Sequence, residues 1–314
     1  MKPGSLIYVA GHRGMVGAAL VRRLKADDYH NLVLKTHAEL DLTNQAAVDR
    51  FFAEHRPEFV FLAAAKVGGI LANDTRPAEF LKDNIAIQTN VIDAAYRYGT
   101  QKLLFLGSSC IYPKEAPQPM HEEYLLTGPL EQTNEWYAVA KIAGLKMCQA
   151  YRKQFGFNAI SAMPTNLYGP HDNFELQSSH VLPALIRKFH EGKERGQSEV
   201  EIWGTGSPRR EFLHVDDLAD ACIFLMERYE SDQWINVGCG SDITIAELAG
   251  IVQAIVGYRG SLRFDTTRPD GVARKRLNVD KITALGWRSQ IGLEAGIRAT
   301  YDWFVKNRGT ARTR

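Results

Sequence analysis

The sequence predicts an α/β protein with a Rossmann-type, doubly wound parallel sheet and a smaller C-terminal α/β lobe. Two observations predict this class. Short segments that are apolar almost throughout alternate with segments of helical periodicity over the first 165 or so residues, which is typical of a parallel sheet covered on both faces. A glycine-rich loop, VAGHRGMVG, joins the first apolar segment to the first helical one.

The individual elements are assigned from the period of the apolar residues. Continuous apolar runs predict strands at 5–11, 31–36, 58–65, 102–112 and 157–164. A repeat of three to four predicts helices at 15–27, 44–55, 76–99 and 134–156. After residue 165 the pattern is less regular, with short strands at 200–204 and 211–215 and helices at about 216–229, 243–256 and 291–306. We therefore predict a Rossmann domain over 1–165, a second lobe over 166–306 with some elements returning to the main sheet, and a tail over 307–314.

The composition is that of a globular protein and excludes several classes. The 314 residues carry 38 basic and 36 acidic side chains, and the net charge of +2 is too balanced to indicate nucleic-acid or membrane binding. The four cysteines, Cys110, Cys148, Cys222 and Cys239, form no CxxC pair and no zinc-site spacing, which fits a reducing compartment. The first apolar run is too short for a signal peptide or a membrane span, so we expect a cytoplasmic protein.

The glycine-rich loop predicts a dinucleotide site. Gly11, Gly14 and Gly17 stand in a GxxGxxG spacing that follows a predicted strand and opens a predicted helix. Glycines let the backbone approach a pyrophosphate, and the N-terminus of the helix offers unpaired N–H groups and a partial positive charge. A tight turn without a ligand is the alternative, and the strand before the loop and the helix after it favour the site.

The end of the second predicted strand favours NADPH over NADH. An acid there would bond a free ribose hydroxyl, but the segment LKTHAELDL begins with Lys35 and His37, and Arg13 lies within the glycine loop. These cations suit a 2′-phosphate. Glu39 is a counter-signal that comes late in the segment, and Asp41 suits a hydrogen bond to the adenine amine. A solvated strand end is the other interpretation of the cations.

The segment NEWYAVAKIAG predicts a proton-transfer pair. Tyr137 and Lys141 are one helical turn apart and therefore share a face. The ammonium is expected to lower the pKa of the tyrosine, so that it can exchange a proton with a sugar oxygen as hydride moves to or from a nicotinamide. Ser108 and Cys110 would point to the same side of an extended strand, at its carboxyl end. By itself, however, a YxxxK spacing is common on helix surfaces.

Several segments together identify a family. The GxxGxxG loop, a serine before YxxxK, and PTNLYGP resemble the extended short-chain dehydrogenase/reductases. The segments GHRGMVG, AAKVGGI, GSSCIYP, NEWYAVAKIAG and SSHVLPALIRKF resemble the GDP-L-fucose synthase family within that group, from residue 6 to about residue 290. The resemblance implies an NADPH-dependent enzyme that converts GDP-4-keto-6-deoxy-D-mannose to GDP-L-fucose, by epimerisation at C3 and C5 followed by reduction at C4.

The resemblance also implies roles for residues of the first domain. Cys110 would be the base and His180 the acid of the epimerisations, while Ser108, Tyr137 and Lys141 complete the catalytic set. A thiol and an imidazole suit this work near neutral pH, although a core thiol and a helix cap are their commoner roles. The implied cofactor contacts are Gly11, His12, Arg13, Gly14, Met15, Val16, Gly17, Lys35, His37, Asp41, Leu42, Ala64, Lys141, Pro164, Asn166, Leu167 and His180.

The substrate's GDP is expected in the second lobe. The implied contacts are Lys188, Trp203, Arg210 and Asp270, and Arg209 is a further candidate from the same segment as Arg210. Arginine suits a diphosphate because its N–H donors are paired, and an indole offers an apolar face. A solvated basic loop and a core indole are the commoner roles of such residues. In the cofactor set, His37 stands where an arginine is frequent in the family.

Two other functions fit part of the pattern. A nucleotide-sugar 4-epimerase or 4,6-dehydratase with tightly held NAD would share the fold, but the cationic end of the second strand and the lack of Thr-Asp-Glu near SSCIYP argue against it. A binding module without chemistry is disfavoured by the intact catalytic set. The helices at 76–99 and 134–156 carry apolar residues on more than one face, as in the four-helix interface common in the superfamily, so we expect a homodimer.

Overall fold

The computed structural model describes residues 1–268, 270–309 and 311. Its strands are β1 (Ile7–Ala10), β2 (Leu32–Val33), β3 (Phe59–Leu62), β4 (Lys102–Leu106), β5 (Ala159–Pro164), β6 (Asn166–Tyr168), β7 (Glu199–Trp203), β8 (Arg209–Arg210), β9 (Phe212–His214), β10 (Ile235–Val237), β11 (Ile243–Thr244), β12 (Ser261–Asp265) and β13 (Arg274–Lys275). Its α-helices are α1 (Met15–Ala26), α2 (Gln45–His55), α3 (Ile70–Thr75), α4 (Pro77–Arg97), α5 (Glu135–Phe155), α6 (Val181–Glu194), α7 (Val215–Arg228), α8 (Ile245–Val256), α9 (Asp280–Ala284) and α10 (Leu293–Asn307).

The main sheet has six parallel strands in the order β10-β5-β4-β3-β1-β2. From β1 the chain crosses to β2 at one edge, and it then returns to β3 on the other side of β1. Doubly wound sheets open a crevice at the carboxyl ends of the strands where the order reverses in this way. The predicted fold class is confirmed, and this reversal marks where a ligand site is expected.

Helices cover both faces of the main sheet, which explains why its strands are apolar throughout. On one face, Leu20 and Leu24 of α1 are fully buried in a core that α7 also lines. On the other face, Phe51 and Phe52 of α2 pack on Tyr8 of β1, beside α4 and α5. Each such side chain stabilises the fold by about 1.5–3 kcal/mol through burial. The apolar runs in the sequence are therefore strands that face protein on both sides.

The second lobe has its own core between α6, α8 and α10. Phe189 of α6 stacks on Tyr258, with ring centroids 5.6 Å apart, and buried leucines and valines of α8 complete the cluster. Small sheets flank it, pairing β8 with β11 and β13, β7 with β12, and β6 with β9. Only Thr165 separates β5 from β6, so the chain enters this lobe without a linker. The domain division at that residue remains a prediction.

Local signals set the helix boundaries. At the start of α2, the Asn44 side chain accepts the Ala47 N–H, which pairs one of the free donors of the first turn. Thr244 and Glu247 form a reciprocal capping box at the start of α8. α5 ends at Gly156 and α8 at Gly257, both in the left-handed conformation that terminates a helix and that glycine adopts without steric cost.

Several predicted strands are shorter in the structure than in the sequence analysis, and two of these differences change the description of the site. The second strand was expected over 31–36 but pairs only over β2, because the backbone then turns towards Leu40. The strand expected over 102–112 ends at Leu106, and a single 3-10 turn follows at Ser109–Ile111. The prediction that Ser108 and Cys110 share one side of an extended strand was therefore wrong. A helical turn brings them together instead.

The helix expected over 76–99 is confirmed as α4, which begins at Pro77 and ends at Arg97. Arg76 lies outside the helical region, at φ −130° and ψ 45°, because the ring of Pro77 disfavours helical geometry in the residue before it. Pro77 itself occupies the first turn of α4, where its missing N–H costs nothing. The preceding turn, α3, was not predicted. At the chain end, α10 continues to Asn307, and residues 310 and 312–314 of the expected tail lie outside the described residues.

The two longest helices, α4 and α5, pack closely because Gly144 has no side chain. A Cβ at Gly144 would lie 2.5 Å from the ring of Phe105 and 2.6 Å from the amide oxygen of Gln88. Gln88, buried on α4, donates to the Ala140 carbonyl of α5 at 2.6 Å. Among the described residues, no helix combines the length and apolarity needed to cross a membrane.

We predict that Gly144→Ala destabilises the protein although alanine is the better helix former. The added methyl group overpacks the α4–α5 contact, and we expect the free energy of unfolding to fall by about 1–3 kcal/mol. Gly250→Ala in α8 is the matched control, since a Cβ there meets no atom within 4 Å, and it should stabilise by up to about 1 kcal/mol. Urea unfolding of both variants measures this, and equal effects of the same sign would contradict the packing argument.

Candidate active site

The glycine-rich loop forms a close-fitting cradle at the switch point. Gly11 has φ +82°, and a Cβ on it would lie 2.8 Å from the Cα of Ala64, just after β3. A Cβ on Gly17 would lie 2.1 Å from the Gly11 carbonyl oxygen. Both glycines are therefore required by close backbone contact, which holds the start of α1 at the carboxyl edge of the sheet. Gly14 caps the helix and, with Met15 and Val16, forms its first turn.

The cradle fits an anionic cofactor. The N-terminus of α1 has no side-chain cap and no acid in its first turn, so its N–H groups and dipole face outward unneutralised. The Nδ1 atom of His12 is buried without a hydrogen-bond partner among the described residues. Burial and the neighbouring Arg13 lower the pKa of His12, so the ring is neutral near pH 7. A dinucleotide phosphate would satisfy these donors.

The cations at the end of β2 face the same region. Glu39 does not oppose them, because its carboxylate accepts the Thr36 N–H at 2.8 Å and the Thr36 hydroxyl at 2.6 Å. Those bonds lower the pKa of Glu39, and the charges of Lys35 and Arg13 lower it further, which shows that both cations lie near it. Arg13 and Lys35 thus lie on the same side of the glycine loop as Glu39, and two cations together suit a 2′-phosphate.

The other residues predicted to contact the adenosine half of the cofactor have neighbours of their own in the structure. The Asp41 carboxylate accepts the Thr43 N–H at 2.9 Å and the Thr43 hydroxyl at 2.8 Å, so a local turn already engages it. His37 is exposed and lies 3.8 Å from the same carboxylate. Leu42 is buried in the core beneath them, and Ala64 contacts Gly11.

Ser108 and Cys110 meet at the turn after β4. The Ser108 hydroxyl accepts the Cys110 N–H at 3.4 Å and also hydrogen-bonds the thiol, which favours the thiolate. Burial acts in the opposite direction and dominates, so the pKa of Cys110 is raised. Two ammonium groups, those of Lys275 and Lys141, oppose the burial and stabilise the thiolate. A buried thiol next to two cations is a base that the site can ionise when it is needed.

Tyr137 and Lys141 lie one turn apart on α5, but the electrostatics differ from the sequence prediction. The Lys141 ammonium donates to the Leu106 carbonyl at 2.8 Å and lies 4.9 Å from the centre of the Phe105 ring. Burial raises the pKa of Tyr137, and the nearby Cys110 raises it further. The expectation that the pKa of Tyr137 is lowered was therefore wrong, because desolvation is the largest influence on this phenol. Burial also lowers the pKa of Lys141 to about 8.

His180 precedes α6, and the segment just before it is hydrogen-bonded to the chain that follows β3. Gly69 donates its N–H to the Ser178 carbonyl at 2.8 Å, and a Cβ there would lie 2.8 Å from the Ser179 carbonyl oxygen. The imidazole of His180 reaches solvent on one side and is enclosed by protein on the others. This enclosure, together with the charge of Lys275, lowers its pKa.

The predicted cofactor contacts Pro164, Asn166 and Leu167 lie at the carboxyl end of β5 and in β6, and this segment is called the floor of the candidate site. Pro164 pairs with Val237 of β10, and Asn166 and Leu167 pair with β9. The side-chain amide of Asn166 donates to the Glu211 carbonyl at 2.8 Å, which fixes its orientation. Leu167 packs against the sheet core. The structure thus brings the floor and the catalytic set to the same edge of the sheet.

An exposed indole marks the second lobe. Trp203 ends β7 and remains 53% exposed, an unusual position for so large an apolar side chain. The Lys188 ammonium lies 5.5 Å and the Arg268 guanidinium 5.0 Å from its ring centre, and Lys188 is held by a hydrogen bond to the Glu201 carbonyl. An aromatic face with two cations suits a nucleotide base and its phosphates.

Arg210 and Asp270 lie close to each other in this lobe. Arg210 is half-buried, and burial lowers its pKa while the charge of Asp270 opposes that shift. The Asp270 carboxylate accepts both the N–H and the hydroxyl of Thr205, at 2.7 and 2.8 Å, so it anchors its own loop. Arg209 differs from Arg210, because it is paired with the buried Asp242 at 2.7 Å. A groove of about 1060 Å³ lies between α8 and α10 and contains none of the catalytic candidates.

Comparison with known proteins agrees with this geometry. The family model for the NAD dependent epimerase/dehydratase family matches residues 7–238. GDP-L-fucose synthase 1 of Arabidopsis thaliana is 61% identical over 96% of this chain and 93% of its own length. The GDP-L-fucose synthetase of Naegleria fowleri, solved with NADP bound, superposes with a TM-score of 0.93 at 30% identity, over 100% of this chain and 96% of that one.

This chain belongs to the GDP-L-fucose synthase family. A GDP-6-OMe-4-keto-L-xylo-heptose reductase from C. jejuni is also similar, with a TM-score of 0.94 and 41% identity over 98% of this chain and 99% of that one. The GDP-L-fucose synthase family uses NADPH, and the cradle, His12 and the cations Arg13 and Lys35 fit that cofactor. The predicted family, fold and cofactor are thus confirmed, while the role of each residue remains a proposal.

Sequence reasoning missed two residues of the site. Lys275 lies near both Cys110 and His180, and Arg268 lies over Trp203. Both come from the basic segment TRPDGVARKR, which carries no spacing signal towards residues far earlier in the chain. Only the pairing of β13 with β8 brings that segment to the catalytic edge.

We predict that Arg13→Ala and Lys35→Ala each weaken NADPH binding roughly tenfold or more, because each removes a charge-assisted contact to the 2′-phosphate. NADH lacks that phosphate and is the internal control. Fluorescence titration with both cofactors measures the dissociation constants. Equal losses for NADPH and NADH would mean that the cations support the loop rather than recognise the phosphate.

Proposed function

We propose that this chain converts GDP-4-keto-6-deoxy-D-mannose to GDP-L-fucose, by epimerisation at C3 and C5 followed by NADPH-dependent reduction at C4. The observation that supports the proposal is that Tyr137 lies near the Cys110 thiol, while Lys275 lies near both Cys110 and His180. A reductase needs the tyrosine and the cofactor. A thiol and an imidazole in the same site supply what a reductase does not need, namely a carbon base and an acid.

In the epimerisations, Cys110 removes the proton next to the C4 ketone, first at C3 and then at C5. Its thiolate is accessible in spite of burial because Lys275, Lys141 and the Ser108 hydroxyl stabilise the negative charge. Ser108 and Tyr137 donate hydrogen bonds to the enolate oxygen that forms at C4. His180 returns a proton from the opposite face in its imidazolium form. Burial and the charge of Lys275 lower its pKa, so this imidazolium is a stronger acid but is the minor form at neutral pH.

In the reduction, Tyr137 provides the proton that the C4 oxygen acquires. Bound NADPH supplies the hydride to C4. Because burial raises the pKa of Tyr137, the phenol is protonated at neutral pH and serves as the acid. Lys141, on the same helix face, holds the nicotinamide ribose and stabilises the phenolate left after transfer. Its pKa of about 8 means that this support weakens as the pH rises through that value.

The GDP half of the substrate occupies the second lobe in this proposal. Arg210 binds the diphosphate, and Trp203 with Lys188 contacts the nucleotide. Asp270 contributes by fixing the loop that adjoins Arg210, through its two bonds to Thr205. Binding at this distance from C4 orients the sugar, so that the base and the acid face opposite sides of the ring.

We predict that Cys110→Ser abolishes epimerisation and leaves reduction. A serine hydroxyl ionises far less readily than a thiol, so deuterium incorporation from D₂O at C3 and C5 should fall by roughly 10²–10⁴-fold. NADPH oxidation should continue and give an unepimerised sugar by NMR. Cys148→Ser is the control, because that thiol is buried in α5 away from the site. Wild-type exchange in Cys110→Ser would identify another base and point towards a plain keto-sugar reductase.

We also propose that the chain forms a homodimer through α4 and α5. Trp136 and Val139 lie one turn apart on α5 and are 44% and 39% exposed, and Ile85 of α4 is 37% exposed. Adjacent apolar side chains on two packed helices form a patch of the kind that a partner covers. A second copy of the same helix pair would bury it by two-fold symmetry.

We predict that Val139→Glu converts the protein to a monomer at micromolar concentration, because a carboxylate in the centre of an apolar interface is desolvated without a partner. Sedimentation velocity measures the change. Val305→Glu on α10 is the control, since Val305 is also exposed, at 47%, but belongs to a helix of the second lobe. A wild-type protein that is already monomeric would overturn the dimer proposal.

A further inference from the structure

Glu211 is a fully buried carboxylate that directly follows Arg210. Its Oε1 accepts the Gly240 N–H at 2.7 Å, and its Oε2 accepts the Leu277 N–H at 2.8 Å. Its own N–H donates to the Lys275 carbonyl at 3.2 Å. The chain from Lys275 to Leu277 is therefore held at both ends by one residue.

Glu211 also contacts the segments that follow β10 and β5. A Cβ on Gly238 would lie 2.3 Å from its Oε1, so the chain after β10 runs directly against the carboxylate. The Glu211 carbonyl accepts the side-chain amide of Asn166. Three chain segments, those after β5, β10 and β13, thus meet at Glu211. Glu211 therefore adds side-chain bonds to the strand pairs that already bring these segments together.

Burying this carboxylate is costly, so its position requires an explanation. Burial raises the pKa of Glu211, while the backbone N–H donors lower it again by binding the charged form. An apolar side chain would fill the same volume without that cost. A carboxylate offers two acceptors at a fixed separation, which an apolar residue cannot. Its presence is explained if the exact placement of the bonded backbone matters.

The backbone that Glu211 holds carries the Lys275 ammonium. This ammonium is repelled by the Arg210 guanidinium from β8 and attracted by Glu131 from the chain before α5. It also lies near His180 at the start of α6 and near the Cys110 thiol, which Ser108, Tyr137 and Lys141 face from the other side. A long side chain between opposing charges needs a fixed backbone to keep one position.

We propose that Glu211 is a positioning residue, which fixes the backbone of Lys275 through its bonds to Lys275 and Leu277 and so keeps the ammonium close enough to Cys110 to stabilise the thiolate. The catalytic meaning of this arrangement rests on the proposed function, in which Cys110 is the base. The arrangement itself can be measured without turnover, since the ionisation of Cys110 reports the position of the ammonium.

The experiment follows alkylation of Cys110 by iodoacetamide against pH, in the full-length enzyme, with mass spectrometry of the Cys110 peptide. In Glu211→Gln an amide replaces one acceptor and faces a backbone donor, which releases the segment. We expect the titration midpoint of Cys110 to rise by about one pH unit, because a cation near the thiolate is lost. Alkylation below the midpoint then slows about tenfold.

Asp217→Asn is the matched control. Asp217 is a buried carboxylate that also accepts two backbone N–H groups, those of Gln290 and Ile291, but it holds a segment away from Cys110. Its substitution loosens the fold in the same manner. We expect no change in the Cys110 midpoint. An equal shift in Asp217→Asn and Glu211→Gln would overturn the proposal, since general loosening would explain both.

A double-mutant cycle with Lys275→Met separates positioning from other effects of Glu211. If Glu211 acts through Lys275, Glu211→Gln should shift the midpoint in the wild-type background and leave it unchanged in the Lys275→Met background. Equal shifts in both backgrounds would overturn the proposal.

Glu211→Asp serves if Glu211→Gln does not fold. It keeps the charge but is too short to reach both N–H groups, so the midpoint should again rise. If neither variant melts cooperatively while Asp217→Asn does, Glu211 is a general requirement of the fold and the proposal fails. Product analysis distinguishes this proposal from the proposed function. A shifted midpoint in an enzyme that forms no GDP-L-fucose would support the positioning role of Glu211 and reject the function. Formation of GDP-L-fucose with an unshifted midpoint would support the function and reject the positioning role.

Discussion

The parallel direction of the six main strands is the constraint on which the rest of this structure depends. All six end at one edge, and the helices that follow them begin there. The glycine cradle after β1, the Cys110 turn after β4 and the floor after β5 are neighbours for this reason alone. The close contact between Gly11 and Ala64 then fixes how near the cofactor loop can approach the edge. Chemistry from distant parts of the chain is thereby gathered in one place.

The chemistry of the site follows from the balance between burial and charge. Burial raises the pKa of the Cys110 thiol and lowers that of the Lys141 ammonium, so it disfavours the charged form of both groups. Placing the thiol near two ammonium groups favours the charged form of each. Desolvation dominates at Tyr137, which stays protonated and therefore suits an acid. One desolvated pocket thus holds the proposed base and the proposed acid, and their pKa values are set by their surroundings rather than by their residue types.

The second lobe contributes selectively to this pocket. Most elements of the second lobe pack around its own core. The short strands β8 and β13, however, extend to the edge of the main sheet where the candidate site lies. These adjacent strands carry Arg210, the proposed diphosphate contact, and Lys275, which lies near the Cys110 thiol. In the proposed function, substrate binding and base activation therefore share one piece of backbone, which Glu211 hydrogen-bonds.

The sequence by itself determined the fold class, the family and the cofactor, because these depend on local patterns. Apolar runs, GxxGxxG and YxxxK are read within a few residues, and the glycines are required where the backbone comes too close for a side chain. The sequence could also indicate Cys110 and His180, although only through family resemblance. It predicted the ends of strands poorly, since tertiary pairing decides where β2 and β4 stop.

Only the tertiary structure decided the electrostatics and the long-range partners. The pKa of Tyr137 moves opposite to the local expectation, because desolvation by distant parts of the chain outweighs a lysine one turn away. Lys275 and Glu211 enter the site through the pairing of β13 and β8 and through hydrogen bonds between segments far apart in sequence. A linear pattern records which groups are present. The dielectric environment and the neighbours that set their behaviour exist only once the chain is folded.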